Sequence, residues 1–173
     1  MNLSDANSLC LECGLCCNGV IFADVQLRRG DHAARLRALG LAFIEKSRAG
    51  VEKFRQPCTA FGGCQCNIYS ERPKYCREFE CLLLKSVKAR EVKTIEARKI
   101  IRSALRQAEK VKRLLRQLGD ADETLALSKR FQRLRRKAER APHDKDVAHL
   151  FGELTVAFHE LNMILGERFY RDS

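Results

Sequence analysis

Nine cysteines, all within the first 81 positions of a 173-residue chain, constrain this sequence more than any other feature. Four of them have the spacing Cys10-x-x-Cys13-Gly-x-Cys16-Cys17, and five more follow at positions 58, 64, 66, 76 and 81. Thiolates in such dense spacings are typical ligands of zinc ions and iron–sulfur clusters. The two groups predict two arms, distant in sequence, that close on one another around metal.

The redox compartment bears on what these cysteines do. The N-terminus lacks the basic and apolar segments of a secretory signal, and no apolar stretch approaches the roughly 20 residues of a membrane span. We therefore expect a soluble, cytoplasmic protein. A reducing compartment favours metal ligation over disulfides, and an odd count leaves one thiol outside any complete disulfide scheme. A disulfide scaffold and redox-active free thiols are the alternatives.

The second half of the chain has the periodicity of amphipathic helices. Apolar residues recur in steps of three and four, which places them on one face of a helix. The first predicted stripe ends at Gly119, the second begins at Leu127, and the third follows Asp144. Their members are Ala97, Ile101, Ala104, Ala108, Val111, Leu115 and Leu118; Leu127, Phe131, Leu134, Ala138 and Ala141; and Val147, Leu150, Leu154, Ala157, Leu161, Ile164 and Phe169.

These patterns predict a mainly α protein with two domains. Residues 1–84 form a small, irregular, cysteine-rich metal domain, and residues 85–173 form a basic extension folded as an antiparallel helical hairpin or bundle. Three capping details accompany this prediction. We expect Asp31 to cap a short helix that stops at Gly40, and Asp120 to form a capping box with Glu123.

Positive charge is concentrated on the helical extension. Residues 85–140 contain 19 Lys and Arg against 7 Asp and Glu, a net charge of +12, whereas the whole chain carries +11. Such a surface attracts polyanions. It predicts an acidic protein or a nucleic acid as partner, with a merely solvated face as the alternative; an intermolecular coiled coil, and hence an oligomer, is also compatible with the stripes.

Two arginines flank a cysteine of the second group. Pro73 is suited to the first position of a short helix, which would place Cys76 in the first turn, where the helix dipole favours thiolate. Arg72 and Arg77 would then offset the negative charge of a thiolate site from its second shell, unless they are simply exposed. The four histidines, His32, His143, His149 and His159, lie outside the cysteine groups, and we expect them at the surface or at helix caps.

Three parts of the sequence occur together: Cys10-Leu-Glu-Cys13-Gly14-Leu-Cys16-Cys17, Cys58, and Cys66-Asn-Ile-Tyr-Ser-Glu-Arg72-Pro73-Lys-Tyr-Cys76-Arg77. This combination resembles the CxxCxxCC family of bacterial cysteine-cluster proteins. The resemblance spans about residues 10–81 and implies a zinc- or iron-chelating domain. It leaves Cys64 as an addition to the pattern, either a spare thiol or an exchanged ligand. The family's eight cysteines would fall on Cys10, Cys13, Cys16, Cys17, Cys58, Cys66, Cys76 and Cys81.

Eight thiolates could hold two four-cysteine zinc sites or two iron–sulfur clusters. The ferredoxin spacing is only partly matched, which favours zinc, whereas the adjacent Cys16 and Cys17 keep iron–sulfur open and argue for more than one metal centre. Some family members are similar to flagellin lysine N-methylases, but no Gly-rich nucleotide loop follows a strand here. The leading prediction is a metal-binding module with a partner-binding extension. An iron–sulfur redox or methylase-type enzyme and a nucleic-acid-associated protein are the alternatives.

Overall fold

The computed structural model describes residues 3–44, 50–63, 65–140 and 144–170, with side chains from residue 8 onward. Within these ranges the chain forms seven α-helices and one small sheet, which confirms the mainly α prediction. Cys64, Ala141 and His143 lie outside the described residues. The elements are α1 (Leu3–Cys13), β1 (Asp24–Gln26), α2 (Ala33–Ala38), β2 (Phe43–Ile44), β3 (Lys53–Arg55), α3 (Lys74–Glu78), α4 (Leu82–Lys88), α5 (Thr94–Gln117), α6 (Leu127–Ala138) and α7 (Lys145–Arg168).

The chain divides into two compact units. The first, here called the cysteine unit, contains residues 10–80 and 123–126. The second, the helical unit, contains residues 1–9, 81–122 and 127–173. None of the helices in the described ranges is both long and apolar enough to cross a membrane.

The cysteine unit is built on a three-stranded antiparallel sheet in the order β1-β3-β2. Val25 of β1 pairs with Phe54 of β3, which in turn pairs with Phe43 of β2. The buried core is small, and Cys58 and Cys76 pack against its edge. Its cluster around Phe54 consists of Val25, Leu36, Leu41, Phe54 and Ala60, and Leu15 and Val20 of the unit are also buried.

The helical unit is held by long apolar helix faces. Helix α7 runs antiparallel to α5, since Gln107 donates to the Ala157 carbonyl at 2.8 Å while Leu118 lines a cavity with Val147. Six of the seven predicted α5 positions are buried, Leu118 being half-buried, and Leu114 is buried in addition. In α6 the Phe131 ring stacks on Phe158 of α7, with ring centroids 4.1 Å apart.

The stripe of α7 differs from the prediction at three positions. Val147 is 41% exposed, and Leu150 and Ile164 are half-buried, whereas Leu165 is fully buried beside Leu154, Ala157 and Leu161. The buried positions are therefore 154, 157, 161 and 165, which follow the helical period of 3.6 residues more closely than the predicted choice of 164.

Two predicted caps are wrong. Helix α2 begins at Ala33 after His32, and the Asp31 carboxylate instead accepts the N–H groups of Arg28 and Lys74, each at 2.8 Å. Helix α6 begins only at Leu127, too far from Asp120 for a capping box. The Asp120 carboxylate is buried because it pairs with the guanidinium of Arg130. The predicted stop at Gly40 is confirmed by its φ of +85°.

Candidate metal centre

The first cysteine arm is a helix end followed by a tight turn. Helix α1 stops at Cys13, and Gly14 follows with a φ of +63°, a conformation that L side chains rarely adopt. The Gly14 carbonyl accepts the N–H groups of Cys17 and Asn18, both at 2.9 Å. A Cβ at Gly14 would lie 2.5 Å from Cζ of Phe61, so the turn requires glycine for conformation and for space.

The second arm is joined to the first through the backbone. The Cys58 N–H donates to the Cys17 carbonyl at 2.8 Å, which brings the two cysteine groups together. The chain then forms a closed loop, since Phe61 and Cys66 pair as an antiparallel bridge and Asn67 N–H donates to the Ala60 carbonyl at 2.8 Å. This loop carries Cys58 and Cys66 on its two sides.

The third segment brings in Cys76. A 3-10 turn at Tyr69–Glu71 leads to Pro73. Pro73 was predicted to be the first residue of the short helix, but it is the N-cap of α3, and the helix begins one residue later at Lys74. Cys76 is the third residue of that short helix. The first amide of α3 is satisfied from a distant part of the chain, by the Asp31 carboxylate.

Several thiols lie close enough to affect one another's pKa. Burial, together with the charges of Cys58, Cys66 and Cys10, raises the pKa of Cys17 to about 12. Burial, together with the charges of Cys17, Cys58 and Cys66, likewise raises the pKa of Cys76 to about 12. These five residues, Cys10, Cys17, Cys58, Cys66 and Cys76, are here called the thiol cluster.

Two features oppose this accumulation of negative charge. Burial raises the pKa of Cys58, but hydrogen bonds from the backbone of Ala60 and Phe61 to its sulfur act in the opposite direction. The positive charge of Arg72 lowers the pKa of both Cys17 and Cys76. The guanidinium of Arg72 is held by a 2.9 Å hydrogen bond from Nε to the Tyr69 carbonyl and lies 3.5 Å above the Tyr69 ring.

The chemistry of the thiol cluster fits a thiophilic metal. Sulfurs gathered from separate segments, half-buried except for that of the exposed Cys10, repel one another as thiolates, and a bound cation removes that repulsion. Amide donors to sulfur and a nearby guanidinium are the outer contacts that stabilise metal thiolates. As they stand, no three His, Cys, Asp or Glu side chains within the described ranges have the geometry of a metal site.

The structure also describes the other predicted site residues. Cys13 ends α1 and Cys16 lies in the turn after it, both half-buried. Cys81 belongs to the helical unit, where it is the N-cap of α4 and its sulfur accepts the Leu84 N–H at 3.5 Å. Arg77 is exposed on α3. The described histidines, His32, His149 and His159, are exposed, as predicted.

Several supporting residues were not predicted from the sequence. Phe61 closes over Gly14, and Asp31 caps the helix of Cys76. Gln56, two residues before Cys58, is 2% exposed, and its Oε1 has no hydrogen-bond partner among the described residues. The contact of Phe61 with Gly14 does have a signal in the sequence, because a glycine inside the cysteine motif indicates the close approach of another group.

A family model covers residues 9–101, which contain the whole thiol cluster and the first turns of α5. The chain belongs to the CxxCxxCC family. The family is described as a putative zinc- or iron-chelating domain, and the match extends beyond the cysteine motifs to Ile101. No curated protein matches the chain, and no solved structure does. The CxxCxxCC assignment agrees with the donor chemistry of the thiol cluster.

Proposed function

We propose that the thiol cluster is the metal centre of this CxxCxxCC domain and that the metal holds the cysteine unit in its fold. The observation that carries the proposal is the convergence of five cysteines from three separate segments of the chain, the first two joined by the Cys58-to-Cys17 backbone hydrogen bond. A binding site assembled from such distant segments does not exist in the unfolded chain, so the free energy of metal binding stabilises the fold.

The number of sulfurs supports more than one metal. A structural zinc ion takes four ligands, and the thiol cluster already contains five cysteines. We therefore assign Cys13, Cys16 and Cys81 as the further ligands of a two-centre site. Zinc supplies a structural, redox-inert centre, and an iron–sulfur cluster supplies electron transfer. The partial ferredoxin spacing leads us to favour zinc, bound in the reducing cytoplasm.

Arg72 and Arg77 complete this proposed site as charge-compensating residues. Two four-thiolate zinc centres carry a charge near −4. The guanidinium of Arg72, held in place by the Tyr69 carbonyl and ring, already favours the thiolate forms of Cys17 and Cys76. Arg77 is on the same short helix as Cys76. We expect Arg72→Gln to weaken metal binding more than Arg77→Gln does.

We also propose that the basic helices of residues 85–140 recruit an acidic partner. The local net charge of +12 supports this proposal, since it is larger than that of the whole chain. The partner surface and the metal centre then serve separate roles, one of recognition and one of folding.

The decisive experiment is the metal content of full-length protein purified without oxygen. We expect stoichiometric zinc or iron, and we expect Cys58→Ser and Cys76→Ser each to lower it. Cys64→Ser is the matched control, because the family pattern has no place for Cys64, and it should retain the wild-type content. An absorption spectrum separates the metals, since iron–sulfur clusters are coloured and zinc thiolates are not. Wild-type protein free of stoichiometric metal would refute the proposal, as would undiminished metal in Cys58→Ser.

A further inference from the structure

One face of α6 consists almost entirely of cationic side chains. Its residues follow the helical steps of three, one, three, one and three positions, so they share a single face. They line a cleft of about 550 Å³, and none of the described residues that line it is a carboxylate. Here called the basic face, it consists of Lys129, Gln132, Arg133, Arg136 and Lys137 of α6 and of Arg140, two residues beyond the end of the helix.

The packing of α6 fixes where this face points. Leu127, Arg130 and Leu134 are buried on the other side of the helix, and the Phe131 ring stacks against α7. All six residues of the basic face are exposed. Five of them, all but Arg140, belong to a helix whose rotation is set by its core contacts, and this reduces the entropic cost of ordering their side chains on a ligand.

Most of these cations form no ion pair with a described carboxylate of the protein. Arg133 is the exception, because its guanidinium donates to the carboxylates of Asp120 and Asp122 at 2.7 and 3.1 Å. Within the described part of the chain, Lys129, Arg136, Lys137 and Arg140 form no ion pair. Four uncompensated cations on one face favour binding of an anion with several charges.

We propose that the basic face binds the phosphate backbone of double-stranded nucleic acid. Protein partners bury an apolar interface core from which Lys is depleted, and the described residues that line this cleft offer no apolar side chain. Single-strand binders stack bases on aromatic rings, and Phe131 is already stacked on Phe158. A duplex carries one charge per about 1.7 Å of its axis, and Lys129 to Lys137 span about 12 Å of helix.

This inference deepens the acidic-partner proposal by naming the partner class. The ion pairs of the helix decide which residues can test it. Arg133 is tied to Asp120, and Arg135 pairs with Glu139 at 3.5 Å, so changing either would alter the protein's own contacts. Lys129, Arg136 and Lys137 are the informative positions.

The test measures binding of the full-length, metal-loaded protein to a 24-base-pair DNA duplex by fluorescence anisotropy over a series of KCl concentrations. We expect the logarithm of affinity to fall linearly with the logarithm of salt concentration, with a slope of about −0.9 per phosphate contact. The triple variant K129Q/R136Q/K137Q should reduce the magnitude of that slope by about 2 to 3. The matched control R102Q/R106Q/R113Q removes the same charge from exposed positions of α5 and should leave the slope nearly unchanged.

Four outcomes would overturn the proposal: no duplex binding at low salt, equal loss in both triple variants, tighter binding to single-stranded DNA, or tighter binding to polyglutamate. The last would identify an acidic protein as the partner instead. Metal content and thermal melting are measured on the same samples. A variant that keeps its metal and its melting temperature while losing DNA affinity supports the basic face, and protein that lacks metal bears on the metal proposal alone.

Discussion

The cysteine unit and the helical unit are stabilised in different ways. In the helical unit, α5 and α7 bury apolar residues along their length, including Val111, Leu115, Leu154 and Leu161. In the described part of the cysteine unit, the buried cluster around Phe54 contains five residues, and few further apolar residues, such as Leu15 and Val20, are buried. Hydrophobic burial scales with the apolar area removed from water, and small units with little core usually depend on a metal or on disulfides.

Because the two units differ in what stabilises them, different changes should destabilise each one. The helical unit should respond to changes in its core and to its buried ion pair. The cysteine unit should respond to loss of metal and to changes in the turns that bring the thiols together. Changes made in each unit separately test whether the helical unit depends on its core and the cysteine unit on its metal.

Removal of metal should give the largest effect and should be confined to one unit. Structural zinc contributes about 10–16 kcal/mol in zinc-finger peptides at neutral pH. A chelator with a thiol reductant should therefore abolish amide-exchange protection in β1, β3 and the Cys58–Cys66 loop while α5 and α7 stay protected. Hydrogen-exchange mass spectrometry measures both units in one sample. Persistence of protection in the sheet would show that its apolar core suffices.

Asp120→Ala should give the next largest effect, in the helical unit. The side chains of Asp120 and Arg130 are each 2% exposed, and they are joined at 3.0 Å. Loss of one partner of a buried ion pair costs about 3–5 kcal/mol, because it leaves an uncompensated charge. Urea unfolding of the metal-loaded protein measures the loss.

Two variants control for the interpretation of Asp120→Ala. The double variant D120A/R130M removes both charges and should recover much of the lost stability. Arg133→Gln should cost less, about 0–1 kcal/mol, because that guanidinium is 45% exposed. Equal losses in D120A and D120A/R130M would indicate that packing, and not charge, makes Asp120 necessary.

Gly14→Ala should destabilise the cysteine unit by about 1–3 kcal/mol, the range for a strained backbone conformation. The new Cβ would meet the Phe61 ring, and the φ of +63° is unfavourable for alanine. Gly40→Ala is the matched control, since its φ is +85° but nothing lies within 4 Å of the added Cβ. A larger loss of chelator resistance in Gly14→Ala than in Gly40→Ala would establish the role of the Phe61 contact; equal losses would exclude it.

The helical unit was largely predictable from sequence because helical periodicity is a local signal. Six of the seven predicted positions of α5 are buried, and the error at Ile164 arose because two adjacent apolar residues fit the period almost equally well. Asp120 could not be predicted in the same way. Its partner Arg130 is ten residues away, and nothing in the local sequence distinguishes a buried arginine from the exposed ones around it.

The cysteine unit was predictable in chemistry but not in shape. Ligand type and spacing indicated metal, and the family assignment agrees. The contacts that bring the thiols together, such as Cys58 N–H to the Cys17 carbonyl and the Asp31 carboxylate to the Lys74 N–H, join residues 41 and 43 positions apart. Such pairs leave no periodic signal in the sequence. For this reason the sequence predicts that Asp31 caps the helix that follows it, α2, whereas its carboxylate in fact accepts the first N–H of α3.

The smallest expected effect concerns an exposed ion pair of the cysteine unit. Arg35 holds the Glu71 carboxylate with two hydrogen bonds of 2.7 and 3.0 Å, and these lower the pKa of Glu71 below its ordinary value of 4.5. The pair therefore stabilises the fold above pH 4.5, and this contribution disappears as pH falls through the lowered pKa of Glu71. Carboxyl titration by NMR should show the pKa of Glu71 returning toward 4.5 in Arg35→Gln and staying low in Arg37→Gln, which removes the neighbouring pair with Glu52. An unchanged pKa in Arg35→Gln would mean that the pair does not persist in solution, leaving the metal and the small core as the main sources of stability in this unit.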